Sequence, residues 1–233
     1  MLALYYRIDR LVLERLRSRQ EIFTRHYQTN FWGNVESASG AGSTLDYTKN
    51  VRTKLPTLVE DLAAKVLLDA PCGDWNWFRD VSLPADVKYI GGDIVAPLVA
   101  RNRERFGDAR HEFMVLDIAT GKLPAADLWL CRDALFHLSN RDILRTLANF
   151  LRSDIRYLLT SSHTACTHNT DIVTGSFREL NLELPPFSLC PAALYVDDWV
   201  PGFPVRHLCL WERTVLATHL ADHAALQALR AGG

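Results

Sequence analysis

The chain has 233 residues, of which 48% are hydrophobic and 23% are charged. This ordinary globular composition excludes a fully disordered or fibrous chain, and the length favours one domain that needs no disulfides or metal to bury its core. Lys and Arg total 26 against 27 Asp and Glu, so the net charge is −1. Nucleic-acid-binding proteins usually carry a basic excess, and we therefore expect no nucleic-acid partner.

Cysteine usage and hydropathy indicate the compartment. The five cysteines are odd in number and form no C-x-x-C motif, so neither a disulfide framework nor a cysteine zinc site is expected. No apolar run approaches the ~18 residues that span a bilayer. Arg7, Asp9 and Arg10 interrupt the stretch where a signal peptide would be apolar. These features predict a cytoplasmic protein.

Residues 2–25 have apolar side chains at helical spacing, with Arg and Glu between them. This periodicity predicts an amphipathic helix. The helix could pack against the domain or against a second copy of the chain, which would make a homodimer. It could also lie on a membrane surface, because basic residues flank its apolar face. Both interpretations stay open at this point.

A glycine- and serine-rich segment follows at residues 28–45 and predicts a loop or lid. Residues 45–65 then predict a helix with Ser43 or Thr44 as its N-cap, which Pro56 would kink or split.

From residue 65 onward, short apolar runs alternate with polar or helical segments. The runs are KVLLDA, KYIGGD, HEFMVLD, DLWLCRD and RYLLTSS, and residues 140–153 have the pattern of an amphipathic helix. This alternation predicts a parallel sheet covered on both faces. A segment rich in proline and aromatic residues spans residues 174–204, before one more strand-like run, RHLCLWERT, and a short C-terminal helix.

Three acidic residues stand where the first three strands end. Asp69 begins the turn D-A-P-C-G-D, Asp93 lies 24 residues further on, and Asp117 follows after another 24. Ligands of a doubly wound sheet bind beyond the carboxyl ends of its strands. An acid after the second strand can accept hydrogen bonds from both hydroxyls of a ribose, and an acid after the third can accept from an adenine amino group. An NAD site is not favoured, because the turn lacks G-x-G-x-x-G.

These motifs resemble the class I S-adenosylmethionine (SAM)-dependent methyltransferases, with the first motif reading VLLDAPCGDWNWF. The variant D-x-P-C-G-D-x-x-W resembles a bacterial branch associated with polysaccharide and surface-glycan genes. Related segments are Trp32 to Leu45, Asp127 to Ser139 and Asn181 to Phe187, so the resemblance spans roughly residues 20–213. It implies an α/β fold with a Rossmann-like, doubly wound, seven-stranded and mostly parallel sheet, helices on both faces and an N-terminal helical lid. We expect residues 1–64 to form the helix, lid and second helix, and residues 65–233 to form the core.

The resemblance also implies residue roles. Asp69, Pro71, Gly73, Asp74 and Trp75 would surround the methionine side of the cofactor, and Asp93 with Ile94 would hold the ribose. Asp117 and Ile118 would flank the adenine, and Arg132 would end the fourth strand near the methyl group. Thr44 and Arg52 would close over the cofactor, with Arg52 pairing its carboxylate.

Three polar residues near the strand ends are candidates for catalysis. Asp133 and His137 are spaced i, i+4, and His163 follows the fifth strand. One of them would remove a proton from an acceptor hydroxyl; alternatively, Asp133 caps a helix and His137 packs beside the cofactor. Trp32 and Arg178 are candidate substrate residues, by ring stacking and by binding an acidic group.

A metal site remains possible but is not expected. Its potential ligands are Asp133, His137, His163, His168 and Asp171, which lack the spacing of a ligand motif.

The predicted function is O-methylation of a hydroxyl on a sugar or glycan, with SAM as cofactor. The alternatives are methylation of a small metabolite or lipid headgroup, and a non-catalytic SAM-binding subunit that activates a partner. Positioning near an already activated methyl group would supply most of the catalysis.

Overall fold

The computed structural model describes residues 17–231. Its strands are β1 (Val66–Asp69), β2 (Lys88–Asp93), β3 (His111–Val115), β4 (Leu128–Cys131), β5 (Tyr157–Ser162), β6 (Leu194–Asp197) and β7 (His207–Glu212). They form one sheet in the order β3-β2-β1-β4-β5-β7-β6. β1 to β5 pair in parallel, whereas β7 pairs antiparallel with both β5 and β6. The predicted Rossmann-like, mostly parallel sheet of seven strands is confirmed.

Apolar side chains on both faces explain why the central strands read as continuous hydrophobic runs. Successive residues of a strand point to opposite faces. Leu68 accordingly packs with Trp129 on one face, while Leu67 packs with Leu128 and Leu159 on the other. The register places Asp69 opposite both Gly91 of β2 and Leu130 of β4. The carboxyl ends of these strands therefore lie side by side at one edge of the sheet.

The helices are α1 (Arg19–Gln28), α2 (Lys49–Asp61), α3 (Ala96–Phe106), α4 (Asn140–Arg152), α5 (Arg213–His219) and α6 (Ala224–Ala231). The helix predicted over residues 140–153 is confirmed as α4, and the Ser139 side chain accepts a hydrogen bond from the Asp142 amide as its N-cap. α2 continues through Pro56, so the predicted split was wrong. The predicted N-caps of α2 were also wrong, because Thr48 occupies that position.

Helix α1 begins at Arg19, inside the span of the predicted amphipathic helix. Ser18 and Glu21 form a capping box at the start of α1, which runs beyond the predicted end at residue 25. Residues 1–16, which carry most of the predicted amphipathic helix, lie outside the described residues. Among residues 17–231, no helix is long and apolar enough to cross a membrane.

Two further differences concern local structure. The chain between β1 and β2 holds a short 3-10 turn, Phe78–Asp80, where a crossover helix would be usual. β6 lies inside the proline- and aromatic-rich segment, where strand periodicity is weak because this edge strand is mostly exposed. The C-terminal helical pattern is divided into α5 and α6.

Candidate functional site

A cavity of about 530 Å³ lies beyond the carboxyl ends of β1 to β4. This volume falls within the range of small-molecule sites. Eleven of the residues singled out from the sequence line it. Those from β1 and β2 are Asp69, Pro71, Gly73, Asp93 and Ile94. The others are Trp32, Asp117, Ile118, Arg132, Asp133 and His137. The rest of the wall includes residues of α1, the lid, the turns after β1 to β4 and the chain before β7.

Two buried carboxylates lie at the ends of β1 and β2. Burial raises the pKa of Asp69 to about 7, although a hydrogen bond from the Tyr89 hydroxyl at 2.7 Å opposes the shift. Burial likewise raises the pKa of Asp93 to about 6, against the hydrogen bonds that the Val95 and Gly73 amides donate at 2.9 and 3.1 Å. Each Asp93 oxygen keeps a second lone pair for a ligand donor.

We expect Asp69→Asn to stabilise the protein above neutral pH. Because the folded-state pKa lies above the unfolded one, the carboxyl stabilises the fold when protonated, and this contribution is lost as pH rises through about 7. Between about pH 4 and pH 7, wild type should lose about 1.4 kcal/mol per pH unit relative to the variant. Urea denaturation from pH 5 to pH 8 measures this difference. Asp154→Asn, at an exposed position, is the control, and a pH-independent difference would contradict the prediction.

The end of β4 carries a buried network of two arginines and two aspartates. The Arg132 guanidinium donates to Asp198 at 2.8 and 3.0 Å and to the Gly42 carbonyl at 2.7 Å. Arg206 donates to Asp133 at 2.9 Å and to Asp198 at 3.3 Å. Burial opposes ionisation of Asp133, but the two guanidinium groups outweigh it and lower the pKa of that carboxyl. Asp133 is therefore ionised at neutral pH, and its two oxygens already accept from Arg206 and Ser161.

Sequence reasoning missed Asp198 and Arg206, which lie in the connection between β6 and β7. This connection lies near the end of β4 only because β7 runs antiparallel to β5 and β6. Asp133 has a positive φ of 53°, which is uncommon outside glycine. Such strained backbone tends to persist where the surroundings hold it. Here the Ser161 hydroxyl accepts from the Asp133 amide at 3.0 Å and donates to its carboxylate at 3.2 Å.

His137 lines the cavity next to Asp133, and one hydrogen bond sets its tautomer. Its Nδ1 lies 2.8 Å from the Ser176 carbonyl oxygen. A carbonyl can only accept, so Nδ1 carries the proton and Nε2 keeps a free lone pair. Burial lowers the pKa of His137 to about 4, although the Ser176 bond opposes the shift. The ring is therefore neutral at pH 7, and it packs 4.4 Å from the Trp32 ring.

Two predicted site residues are directed elsewhere. His163 is buried behind Phe136, and its Nδ1 accepts from the Leu180 amide at 3.2 Å. The Arg178 guanidinium donates to the Leu135 carbonyl at 3.2 Å, and burial lowers its pKa to about 10. Neither side chain lines the cavity, so the ligand contacts expected for His163 and Arg178 are not seen. The physical reason is that the segment after β5, which carries both residues, folds back so that His163 bonds to Leu180 and Arg178 to Leu135.

The expected cofactor contacts of Trp75, Thr44 and Arg52 are likewise not seen, since none of the three lines the cavity. The Trp75 ring packs in the core between Phe106 and Phe113. The Thr44 hydroxyl donates to the Ala41 carbonyl within the lid. The Arg52 guanidinium donates to the Leu45 carbonyl at 2.8 Å, because α2 directs it back onto its own N-terminus.

Asp74 holds the lid rather than lining the cavity. Its carboxylate accepts from the Ser37 hydroxyl at 2.9 Å, the Ala38 amide at 2.8 Å and the Ser39 hydroxyl at 3.2 Å. A Cβ atom on Gly73, whose φ is 56°, would collide with the Ser39 hydroxyl. The glycine expected to let a ligand approach therefore also makes room for the lid.

Asp74→Ala is expected to destabilise the protein by about 2–4 kcal/mol, because it leaves several buried donors of the lid without an acceptor. Urea denaturation measures the loss, and limited proteolysis should show cleavage within residues 34–45. Asp74→Asn retains one acceptor oxygen and should fall between wild type and the alanine variant. An alanine variant as stable and as protease-resistant as wild type would show that Asp74 does not hold the lid.

Within residues 17–231, no three His, Cys, Asp or Glu side chains converge in a way that could hold a metal ion. The possible ligand set formed by Asp133, His137, His163, His168 and Asp171 is thus not assembled. His163 faces Leu180, and Asp171 accepts from the Asn140 amide.

Comparison with known proteins identifies the fold of the chain but not its substrate. No family model matches the sequence, and no curated protein matches it. Among solved structures, magnesium protoporphyrin IX methyltransferase from Synechocystis PCC 6803 with bound SAM superposes with a TM-score of 0.56. It is 15% identical over 84% of this chain and 98% of its own.

The N-methyltransferase NodS from Bradyrhizobium japonicum WM9 gives a TM-score of 0.54 at 12% identity, over 72% of this chain and 96% of its own. The chain has a methyltransferase fold. Human N-acetylserotonin methyltransferase in complex with SAM gives a TM-score of 0.53 at 14% identity. The match covers 70% of this chain and 51% of the human enzyme, so the chain spans about half of that enzyme's length. These methyltransferase-fold neighbours act on varied substrates, so the likeness does not name an acceptor.

The cavity also includes residues that sequence reasoning did not single out. Arg19, Phe23 and Tyr27 of α1 line it, together with Phe203 and Pro204. The i, i+4, i+8 spacing of the α1 residues is the signal that could have identified them.

Proposed function

We propose that the chain binds SAM and transfers its methyl group to a hydroxyl of a sugar or glycan. The observation that carries the proposal is the pairing of two features in one cavity. The carboxylates of Asp69 and Asp93 lie at the ends of β1 and β2, and a neutral His137 with a free Nε2 lies beyond β4. The first feature suits a nucleoside cofactor, and the second suits removal of a hydroxyl proton.

The donors and acceptors of the cavity fit SAM. The remaining lone pairs of Asp93 can accept from the ribose hydroxyls, and the carboxylate of Asp69 suits the positively charged part of the molecule. The cavity volume of about 530 Å³ is adequate for a ligand of this size. The methyltransferase fold supports the same assignment, since the similar structures described above include complexes with SAM.

The chain's own groups then act on the acceptor. When bound, SAM supplies a methyl group on a positively charged sulfur, and its transfer forms an O–CH₃ bond, breaks the C–S bond and leaves S-adenosylhomocysteine (SAH). The Nε2 atom of His137 takes the hydroxyl proton, because Nδ1 is already protonated and held by Ser176. Asp133, kept ionised by Arg132 and Arg206, orients the acceptor by accepting a second hydrogen bond.

Aromatic side chains support a sugar as the acceptor. Trp32, Phe177 and Phe203 line the cavity, and Phe177 and Phe203 are 53% and 46% exposed. Large exposed aromatic rings at a cavity mark a binding surface, and the apolar face of a sugar ring can stack on them. The network of Arg132, Arg206, Asp133 and Asp198 has no net charge, which is compatible with an uncharged acceptor.

The test has two stages. Isothermal titration with SAM should show binding, and radiolabelled methyl from SAM should then appear on members of a saccharide panel. Lipid headgroups and small metabolites form the comparison panels. No binding of SAM would overturn the cofactor assignment. Binding without transfer to any panel would favour a non-catalytic partner subunit, and labelled headgroups or metabolites would replace the glycan with that class.

A further inference from the structure

Helix α1 presents one continuous face to the cavity. Arg19, Phe23 and Tyr27 are spaced i, i+4, i+8 and all line it. This face lies opposite Leu116, Asp117 and Ile118 at the end of β3. The helix is outside the α/β core in sequence, so something must fix it above the strand end.

The Arg19 guanidinium supplies that connection. It donates to the two Asp117 oxygens at 2.7 and 3.2 Å and to the Asp142 carboxylate at 2.7 Å. Asp142 is itself held by the Thr174 hydroxyl at 2.8 Å and lies in the first turn of α4. One side chain thus connects α1 to β3 and to α4. A planar guanidinium suits this task, because it can donate to two carboxylates at once.

The same contacts occupy Asp117. Its Oδ1 atom accepts from the Arg19 Nε and the Ala119 amide, and its Oδ2 atom accepts from the Arg19 Nη2 and the Thr120 hydroxyl. A carboxylate has about four lone-pair sites, so none remains for an adenine amino group while Arg19 is in place. Burial opposes ionisation of Asp117, but Arg19 outweighs it and keeps the pKa of Asp117 below its ordinary value.

We propose that Arg19 is a positioning residue for the cofactor: it fixes α1 as the roof of the nucleobase half of the cavity, and its pairs with Asp117 must open for the cofactor to leave. This proposal rests on the proposed function. Phe23 and Tyr27 then offer aromatic surface to the purine, in a position that Arg19 determines. Asp117 serves as the anchor of the roof instead of as the hydrogen-bond acceptor for adenine.

The experiment measures SAH dissociation by stopped-flow fluorescence, with Trp32 and Trp77 in the cavity wall as intrinsic reporters. Arg19→Ala should raise both the dissociation rate and the Kd for SAH about tenfold or more, the effect of losing a charge-assisted hydrogen-bonded pair. Turnover at saturating SAM should change less than about threefold, since the Arg19 guanidinium donates to Asp117, Asp142 and Thr120 rather than to His137 or Asp133. Arg19→Lys keeps the positive charge but lacks the planar set of donors that can bind two carboxylates at once. It should give an SAH dissociation rate between those of wild type and Arg19→Ala.

Arg145→Ala is the matched control, because Arg145 donates to Asp142 at 3.2 Å and does not line the cavity. It should leave SAH dissociation unchanged. If wild type binds SAH but Arg19→Ala releases it at the wild-type rate, the inference is overturned. If wild type binds no SAH, the proposed function fails instead. Should Arg19→Ala unfold, an Arg19→Lys variant with wild-type dissociation would equally overturn the inference.

Discussion

Asp93→Ala is expected to weaken SAM binding by about a hundredfold or more, because two hydrogen bonds to a charged acceptor are lost together. The Asp93 carboxylate accepts from the Gly73 and Val95 amides, and its remaining lone pairs are the proposed acceptors for the ribose hydroxyls. The substitution therefore removes a ligand contact and a brace between the turns after β1 and β2. Isothermal titration calorimetry measures the change in Kd.

Stability and specificity controls accompany this measurement. Burial raises the pKa of Asp93 to about 6, so removing the carboxylate also removes the desolvation penalty that burial places on its ionised form. This gain offsets part of the cost of leaving the Gly73 and Val95 amides without an acceptor, so the variant should remain folded, which thermal unfolding checks. Glu104→Ala removes an exposed carboxylate from α3 and should bind SAM like wild type. Wild-type affinity in a folded Asp93→Ala variant would rule out this carboxylate as the ribose ligand.

His137→Gln is expected to lower kcat by about a hundredfold to a thousandfold, within the range for loss of a general base. The Kd for SAM should change little, because the proposed role of His137 is toward the acceptor. Glutamine keeps a donor for the Ser176 carbonyl but has no basic nitrogen. Steady-state kinetics with the labelled acceptor, together with calorimetry on the same variant, separates the two quantities.

His163→Gln is the matched control for this prediction. Burial lowers the pKa of both histidines to about 4, but only His137 lines the cavity. Loss of activity in the His163 variant alone would reverse the assignment. In wild type at saturating SAM, kcat/KM for the acceptor should fall as pH decreases through about 4, since protonated His137 cannot accept a proton.

The elements that the sequence predicted best are those with a strong local signal. KVLLDA and DLWLCRD are apolar because both faces of β1 and β4 are covered, and the pattern of residues 140–153 follows the one buried face of α4. β6 escaped detection because an exposed edge strand needs no such pattern. Pro56 was expected to kink or split α2, yet the helix continues through it, since tertiary packing buries Leu55 and Val59 on either side.

For the candidate site, residue type alone was an incomplete guide. Asp93 ends β2 and Asp74 follows β1 by a few residues, but Asp93 lines the cavity and Asp74 holds the lid. Arg178 and Arg206 were equally available as cations, and only Arg206 lines the cavity. The direction of each side chain depends on neighbours more than thirty residues away in most of these cases, which local spacing does not encode.

The sequence by itself determined the alternation of strands and helices and the placement of acids at strand ends, because hydrophobic periodicity and strand length are local properties. Only the tertiary structure decided which acids remain open to a ligand. Arg19, from a helix before the core, occupies Asp117. Arg206, just before β7, pairs with Asp133 but leaves that carboxylate in the cavity wall. Both pairings join residues separated by more than seventy positions, and burial of charge enforces them, since an unpaired carboxylate or guanidinium in these positions would be strongly destabilising.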